Sequence, residues 1–137
     1  MSSLGPTVAQ QDLLAVEGDP LIVTVAAVFT NPSASPYTIS WADITDPVVS
    51  VGGNEVLAPT IVTTEGQWTL TWTADQIAKL SPSIWTLSVT IEGSGPYALI
   101  AGEFSAIGPD GDTSAVHTGT LTTQIGVIMA VLTVSVI

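Results

Sequence analysis

With 137 residues the chain has room for one domain and an arm, and for one substantial core. It is 46% hydrophobic and only 9% charged, with 12 acids, a single lysine and a formal net charge of −11. So few cations cannot neutralise phosphates, so neither nucleic acid nor an anionic membrane surface is an expected partner. The absence of cysteine excludes disulfides, thiolate metal sites and cysteine nucleophiles.

Residues 1–11 read as an extended N-terminal arm broken at Gly5-Pro6. They carry no basic stretch followed by an apolar core, so a secretory signal is not expected. Leu13 to Val16 is a short apolar strand, followed by the turn residues Glu17-Gly18-Asp19-Pro20. Leu21 to Thr30 is a long β-branched run in which Leu21, Val23, Val25, Ala27 and Phe29 share one face. A polar loop with two prolines spans 31–36. Tyr37 to Trp41 alternates as a strand, Asp43 to Pro47 turns, and Val48 to Val51 is a further short strand. Gly52-Gly53-Asn54 is a tight turn leading into an extended run from Glu55 to Thr64.

Gln67 to Thr73 alternates cleanly, which places Trp68, Leu70 and Trp72 inward and Thr69 and Thr71 outward. Thr73 followed by Gln76 has capping-box spacing, and Asp75 suits a helix N-terminus. One short helix is therefore predicted over Ala74–Leu80, stopped before Pro82. Ile84 to Glu92 is again a strand, with Trp85, Leu87, Val89 and Ile91 at period two. Tyr97 to Phe104 returns beside it after the turn Gly93-Ser94-Gly95-Pro96. Trp68, Leu70, Trp72, Trp85, Leu87, Val89 and Phe104 are the predicted core.

Residues 108–115 form a linker by composition. From Val116 to Ile137 almost no charge remains, and Val127 to Ile137 is nearly continuous apolar sequence. Such a run reads as a strand buried on both faces, with a helix as the alternative. The 13 residues from Ile125 are too few for a helical membrane span, which needs about 20. The division is thus an arm over 1–11, a β-sandwich over 12–107, a linker over 108–115 and a C-terminal β arm over 116–137. The fold class is an all-β, immunoglobulin-like sandwich with one short helix.

Chemistry-bearing residues are sparse. His117 is the sole histidine. Asp43 with Asp46, or Glu92 with Glu103, are the carboxylate pairs that turns or strands could bring together, but each reads more simply as an exposed acid. Asp110-Gly111-Asp112 offers hard oxygen ligands without the later glutamate of a calcium loop, and reads better as solvated linker. No catalytic residue, metal or cofactor is therefore expected. Trp41, Trp68, Trp72 and Trp85 would suit a sugar-stacking platform if exposed, but their alternation with serine and threonine favours packing.

The stretch Glu65-Gly66-Gln67-Trp68-Thr69-Leu70-Thr71-Trp72, then Thr73 to Leu80, then Trp85-Thr86-Leu87-Ser88-Val89, then Ala101-Gly102-Glu103-Phe104, resembles small immunoglobulin-like domains of tailed-bacteriophage virion proteins. These occur in head-decoration, minor tail and upper-baseplate proteins. The opening Glu17-Gly18-Asp19 fits the same layout, so the resemblance covers roughly 12–107. This chain departs from that pattern at Ser83-Ile84-Trp85, where Gly-Thr-Tyr is usual, and carries less charge. The resemblance implies a multimeric virion component, often a trimer.

The resulting expectation is a capsid decoration (minor capsid) protein that binds the shell surface, with the major capsid protein or other virion proteins as partners. A minor tail or baseplate protein and a carbohydrate-binding adhesin are the alternatives. Ile125, Val127, Ile128, Val131, Leu132, Val134, Val136 and Ile137 are the residues expected to meet neighbouring copies. A chain ending near Gly111 is then expected to lose oligomerisation.

Overall fold

A computed structural model describes residues 9–31, 37–107, 119–125 and 128–136. Period-two alternation decides the layering, because each strand has one apolar row to bury. Two sheets result, packed face to face as a sandwich. The first contains β1 (Ala9–Gln10), β2 (Leu13–Val16), β5 (Ile44–Val51), β8 (Ser83–Ile91) and β9 (Ser94–Ile107). Its order is β1-β9-β8-β5, with β2 continuing the β1 edge along β9. The second contains β3 (Leu21–Asn31), β4 (Tyr37–Thr38), β6 (Thr60–Thr64), β7 (Gln67–Trp72), β10 (Gly119–Ile125) and β11 (Ile128–Val136). Its order is β10-β11-β3-β7-β6, with the short β4 on β3.

The predicted inward rows meet between the sheets. Trp68, Leu70, Trp72, Trp85, Leu87, Val89 and Phe104 are all buried, joined by Val23, Val25 and Phe29 from β3. Trp72 meets Phe104 edge-on at 4.9 Å between ring centroids. This geometry suits the positive ring edge against the negative ring face. Two indoles also satisfy their N–H. Trp72 Nε1 donates to the Leu57 carbonyl at 2.8 Å, and Trp85 Nε1 donates to the Gln11 carbonyl at 2.8 Å.

The helix α1 (Ala74–Ala78) begins as its capping box predicts. Thr73 Oγ1 accepts from the Gln76 N–H at 3.2 Å, and Gln76 Oε1 accepts from the Thr73 N–H at 2.9 Å. The Gln76 amide then donates to the Val56 and Ala58 carbonyls. The helix thereby fastens the segment that crosses from β5 to β6.

Several elements differ from the sequence expectation. The strand over Tyr37–Trp41 stops at Thr38, and Trp41–Asp43 forms a 3-10 turn. Ser40 Oγ accepts from the Ala42 N–H there, a local bond that competes with a strand ladder. Asp43–Pro47 is not a turn ending one strand. Ile44 and Thr45 already pair with β8, and the chain bulges at Asp46-Pro47 before pairing resumes at Val48. Glu55–Leu57 is a 3-10 turn capped by Asn54, so only Thr60–Thr64 of that run is strand.

The largest difference lies at the C-terminus. Ile128–Val136 is a strand, but it lies between β10 and β3 of the same chain, with Leu132 opposite Ala27 and Val134 opposite Val25. Ala130, Leu132 and Val134 are buried in the chain's own core, while Val131 and Thr133 face outward. The row is therefore one-sided, not buried on both faces. β10 and β11 are integral strands of the second sheet rather than a separate arm. At the other end, Ala9 and Gln10 of the expected N-terminal arm pair in parallel with Ile100 and Ala101. The linker 108–115 and the loop 32–36 lie outside the described residues.

Candidate interaction surface

The strands of the second sheet contain no aspartate, glutamate, lysine, arginine or histidine. In a chain of net charge −11 this segregation follows from where the acids fall. Glu17, Asp19, Glu55 and Asp75 sit in connections at the end of the sandwich where β3 begins. Asp43, Asp46, Glu65 and Glu92 gather at the opposite end. Asp12 and Glu103 lie on the first sheet. Among the described residues most acids thus lie at the two poles, and the strands of the second sheet carry no charge.

That flank is built from outward rows. On β3 these are Thr24, Ala26, Val28 and Thr30; on β11, Met129, Val131, Thr133 and Ser135. Val28 is 55% exposed, and the register sets it directly opposite Val131, which is 40% exposed. Thr122 of β10 continues the row beyond Val131. On the far side Thr69 and Thr71 of β7 lead to Val62 of β6, which is 53% exposed. Threonine and valine alternate across the face without a charge, a composition suited to close apposition with another uncharged surface.

The expected contact residues divide accordingly. Val131 lies on the exposed flank. Leu132 and Val134 are in the core, and Ile128 packs against it. Ile125 and Val136 occupy strand positions opposite Ile128 and Val23. Val127 and Ile137 lie outside the described residues. The burial of Leu132 and Val134 corrects their assignment as contacts with a neighbour, because an alternating strand in its own sheet spends one row on its own core.

The outward face of the first sheet is less uniform. Ile84 stands 57% exposed opposite Glu103. Two open depressions flank it, one bordered by Ala9, Gln10 and Gly102, the other by Pro82, Ser83 and Ser105. Gly102 is required at this spot, since a Cβ there would lie 2.1 Å from the Gln11 carbonyl oxygen. Asp12 Oδ1 accepts from the Glu103 N–H at 2.9 Å, which fixes the step between β1 and β2.

Of the candidate carboxylate pairs, Glu92 and Glu103 lie apart along the β8–β9 ladder, whereas Asp43 and Asp46 stay in one short segment. Glu92 donates its N–H to the Asp43 carbonyl at 2.8 Å, so the Asp43–Asp46 segment and Glu92 share one pole. Glu103 sits toward the other end of the β8–β9 ladder. Among the described residues no group of three or more His, Cys, Asp or Glu is placed to hold a metal ion. His117 and Asp110-Gly111-Asp112 lie outside the described residues. Trp68, Trp72 and Trp85 are buried and Trp41 leans on Trp68 at 4.8 Å, so the four indoles form no exposed stacking platform. Among the described residues, no helix is long and apolar enough to cross a membrane.

One position that joins the two sheets escaped the sequence reading. Thr123 is fully buried and ties the second sheet to the first. Its hydroxyl donates to the Leu99 carbonyl at 2.5 Å and accepts from the Ala9 N–H at 3.1 Å. Leu99 has no ladder partner, because the register slips between Leu87 and Ser88 and skips it. The bulge frees a carbonyl and Thr123 takes it. The available signal was a polar residue in the same row of β10 as Leu121.

The architecture defines the chain as an all-β sandwich with a short helix and a neutral sheet flank. No family model matches it, and a search of curated proteins finds no match either.

Proposed function

We propose that this chain is a structural component of a tailed-bacteriophage virion, a capsid decoration protein that works by covering and joining other virion subunits. The observation that carries the reading is the neutral, threonine- and valine-rich flank of the second sheet in a chain of net charge −11. Like-charged poles keep particles apart, whereas a neutral flank can be buried without stranding a charge. Apolar burial contributes about 25 cal/mol per Å² before ordering costs. Repetition over many copies turns modest contacts into a stable shell. The likeness of Glu65–Ile107 to immunoglobulin-like virion domains supports the same reading, with the major capsid protein as the principal partner. The indole burial disfavours a sugar-binding adhesin built on these tryptophans.

Quantitative mass spectrometry of purified virions, with heads and tails separated, tests this. High copy number on heads is the expected result. Low copy number confined to tails would move the protein to a minor tail or baseplate role. Absence from purified particles would contradict the proposal.

A further inference from the structure

Among the described residues, every sheet edge but one is blunted. On β5, Asp46 has φ of 52° and is followed by Pro47, and the ladder bulges at that point. A bulge, a proline and a charge each discourage strand addition. The β1–β2 edge is broken at Gln11-Asp12, where Asp12 turns its carboxylate onto the Glu103 N–H. The β10 edge is drawn onto the first sheet by Thr123, through Ala9 and Leu99. The last edge is β6, Thr60-Ile61-Val62-Thr63-Thr64. It has no charge, proline or bulge, all five residues are β-branched, and its register against β7 is unbroken. Among the described residues nothing pairs with its outer side.

We propose that β6 is a strand-addition site and that its occupant is β6 of a second copy of this chain, running antiparallel about a two-fold axis through Val62. This rests on the reading of the chain as an assembly protein and names how two copies meet. Charge restricts where two copies can meet and in which direction. Two copies of a −11 chain can approach closely only where neither presents acids, and β6 lies at the margin of the neutral sheet. In the antiparallel arrangement Thr60 lies opposite Thr64 of the second copy, Ile61 opposite Thr63, and Val62 opposite Val62. Every opposed pair is uncharged. Pro59 and Glu65 bracket the five residues, so the pairing has natural ends. The two Glu65 residues then stand six positions apart along the ladder, about 20 Å, beyond the screening length of about 8 Å at physiological salt. Parallel pairing would instead set Glu65 beside Glu65. The antiparallel contact is isologous and closes as a dimer, in contrast to the three-fold association implied by the family resemblance.

The absence of cysteine gives a clean test. Directly opposed residues have Cα atoms about 4.5–5.5 Å apart, within disulfide reach of about 4.4–6.8 Å. Val62→Cys in the full chain is expected to cross-link to a covalent dimer under mild oxidation. Thr60→Cys, about 13 Å from its own copy, is expected not to cross-link alone but to do so when mixed with Thr64→Cys. Val62→Lys, at an exposed position, is expected to stay folded by circular dichroism and to sediment as a monomer. Three results would overturn the proposal. One is a native chain that is monomeric, with Val62→Cys no more cross-linked than Thr60→Cys. Another is an oligomer that survives Val62→Lys. The third is a monomer whose β6 edge captures an added extended peptide in place of a second copy. Each reads on the contact itself, so it fails or stands independently of where the protein sits in a virion.

Discussion

Three indoles share the core and differ in what their N–H groups find. Trp72 Nε1 reaches the Leu57 carbonyl and Trp85 Nε1 the Gln11 carbonyl, whereas Trp68 Nε1 is buried without a hydrogen-bond partner. Replacing Trp72 with phenylalanine leaves a buried carbonyl unpaired, a penalty of about 1–3 kcal/mol on top of lost packing. Trp68→Phe removes a polar group that is already unpaired, so only packing is lost. Urea unfolding is expected to rank Trp72→Phe as clearly more destabilised than Trp68→Phe; the reverse order would remove the Leu57 bond from the stability of the crossover. Thr123 obeys the same logic. Thr123→Val keeps the shape but strands the Leu99 carbonyl and the Ala9 N–H, and is expected to cost about 1–3 kcal/mol. Thr123→Ser, which keeps the hydroxyl, is expected to cost distinctly less in the same assay.

Among elements, α1 and the β10–β11 hairpin act on the sandwich in different ways. Thr73→Ala removes one cap and is expected to cost about 1 kcal/mol in unfolding free energy. Gln76→Ala removes the reciprocal cap and both bonds to the crossover carbonyls, so it is expected to cost more. The hairpin is part of the core. A chain truncated near Gly111 loses Ala130, Leu132 and Val134 and exposes the flank of β3. It is expected to lose cooperative thermal unfolding altogether, instead of merely losing oligomers. A truncated chain that melts like the full one would contradict the register of β11 on β3. Alternation made β3, β7 and β8 legible in the sequence, and the Thr73–Gln76 spacing fixed the helix start, because these are local rules. What could not be read locally was pairing. The run over 128–136 is apolar whether it meets a neighbour or its own β3, and only the register separates the two. The Asp46-Pro47 bulge likewise looks like a turn until Ile44 is found opposite Ile91. Of the exposed valines on the neutral flank, Val131 was singled out in the sequence. Val28 and Val62 were not, since their exposure depends on which strands lie beside them.

At the scale of the whole molecule, most acids of the described residues sit at the poles and the strands of the second sheet are uncharged, so repulsion and attraction act on different surfaces. The electrostatic opposition to association through the neutral edge comes from the like charge of the two bodies, which salt screens. Dimerisation followed by sedimentation equilibrium is therefore expected to strengthen as ionic strength rises. An association held by ion pairs would weaken instead. The most direct measurement is hydrogen exchange of backbone amides as a function of protein concentration. Amides of Thr60–Thr64 are expected to slow as the chain is concentrated, while those of the bulged β5 edge stay unchanged. Rates over Thr60–Thr64 that do not depend on concentration, or protection that appears at β5 instead, would contradict a neutral edge as the place where copies meet.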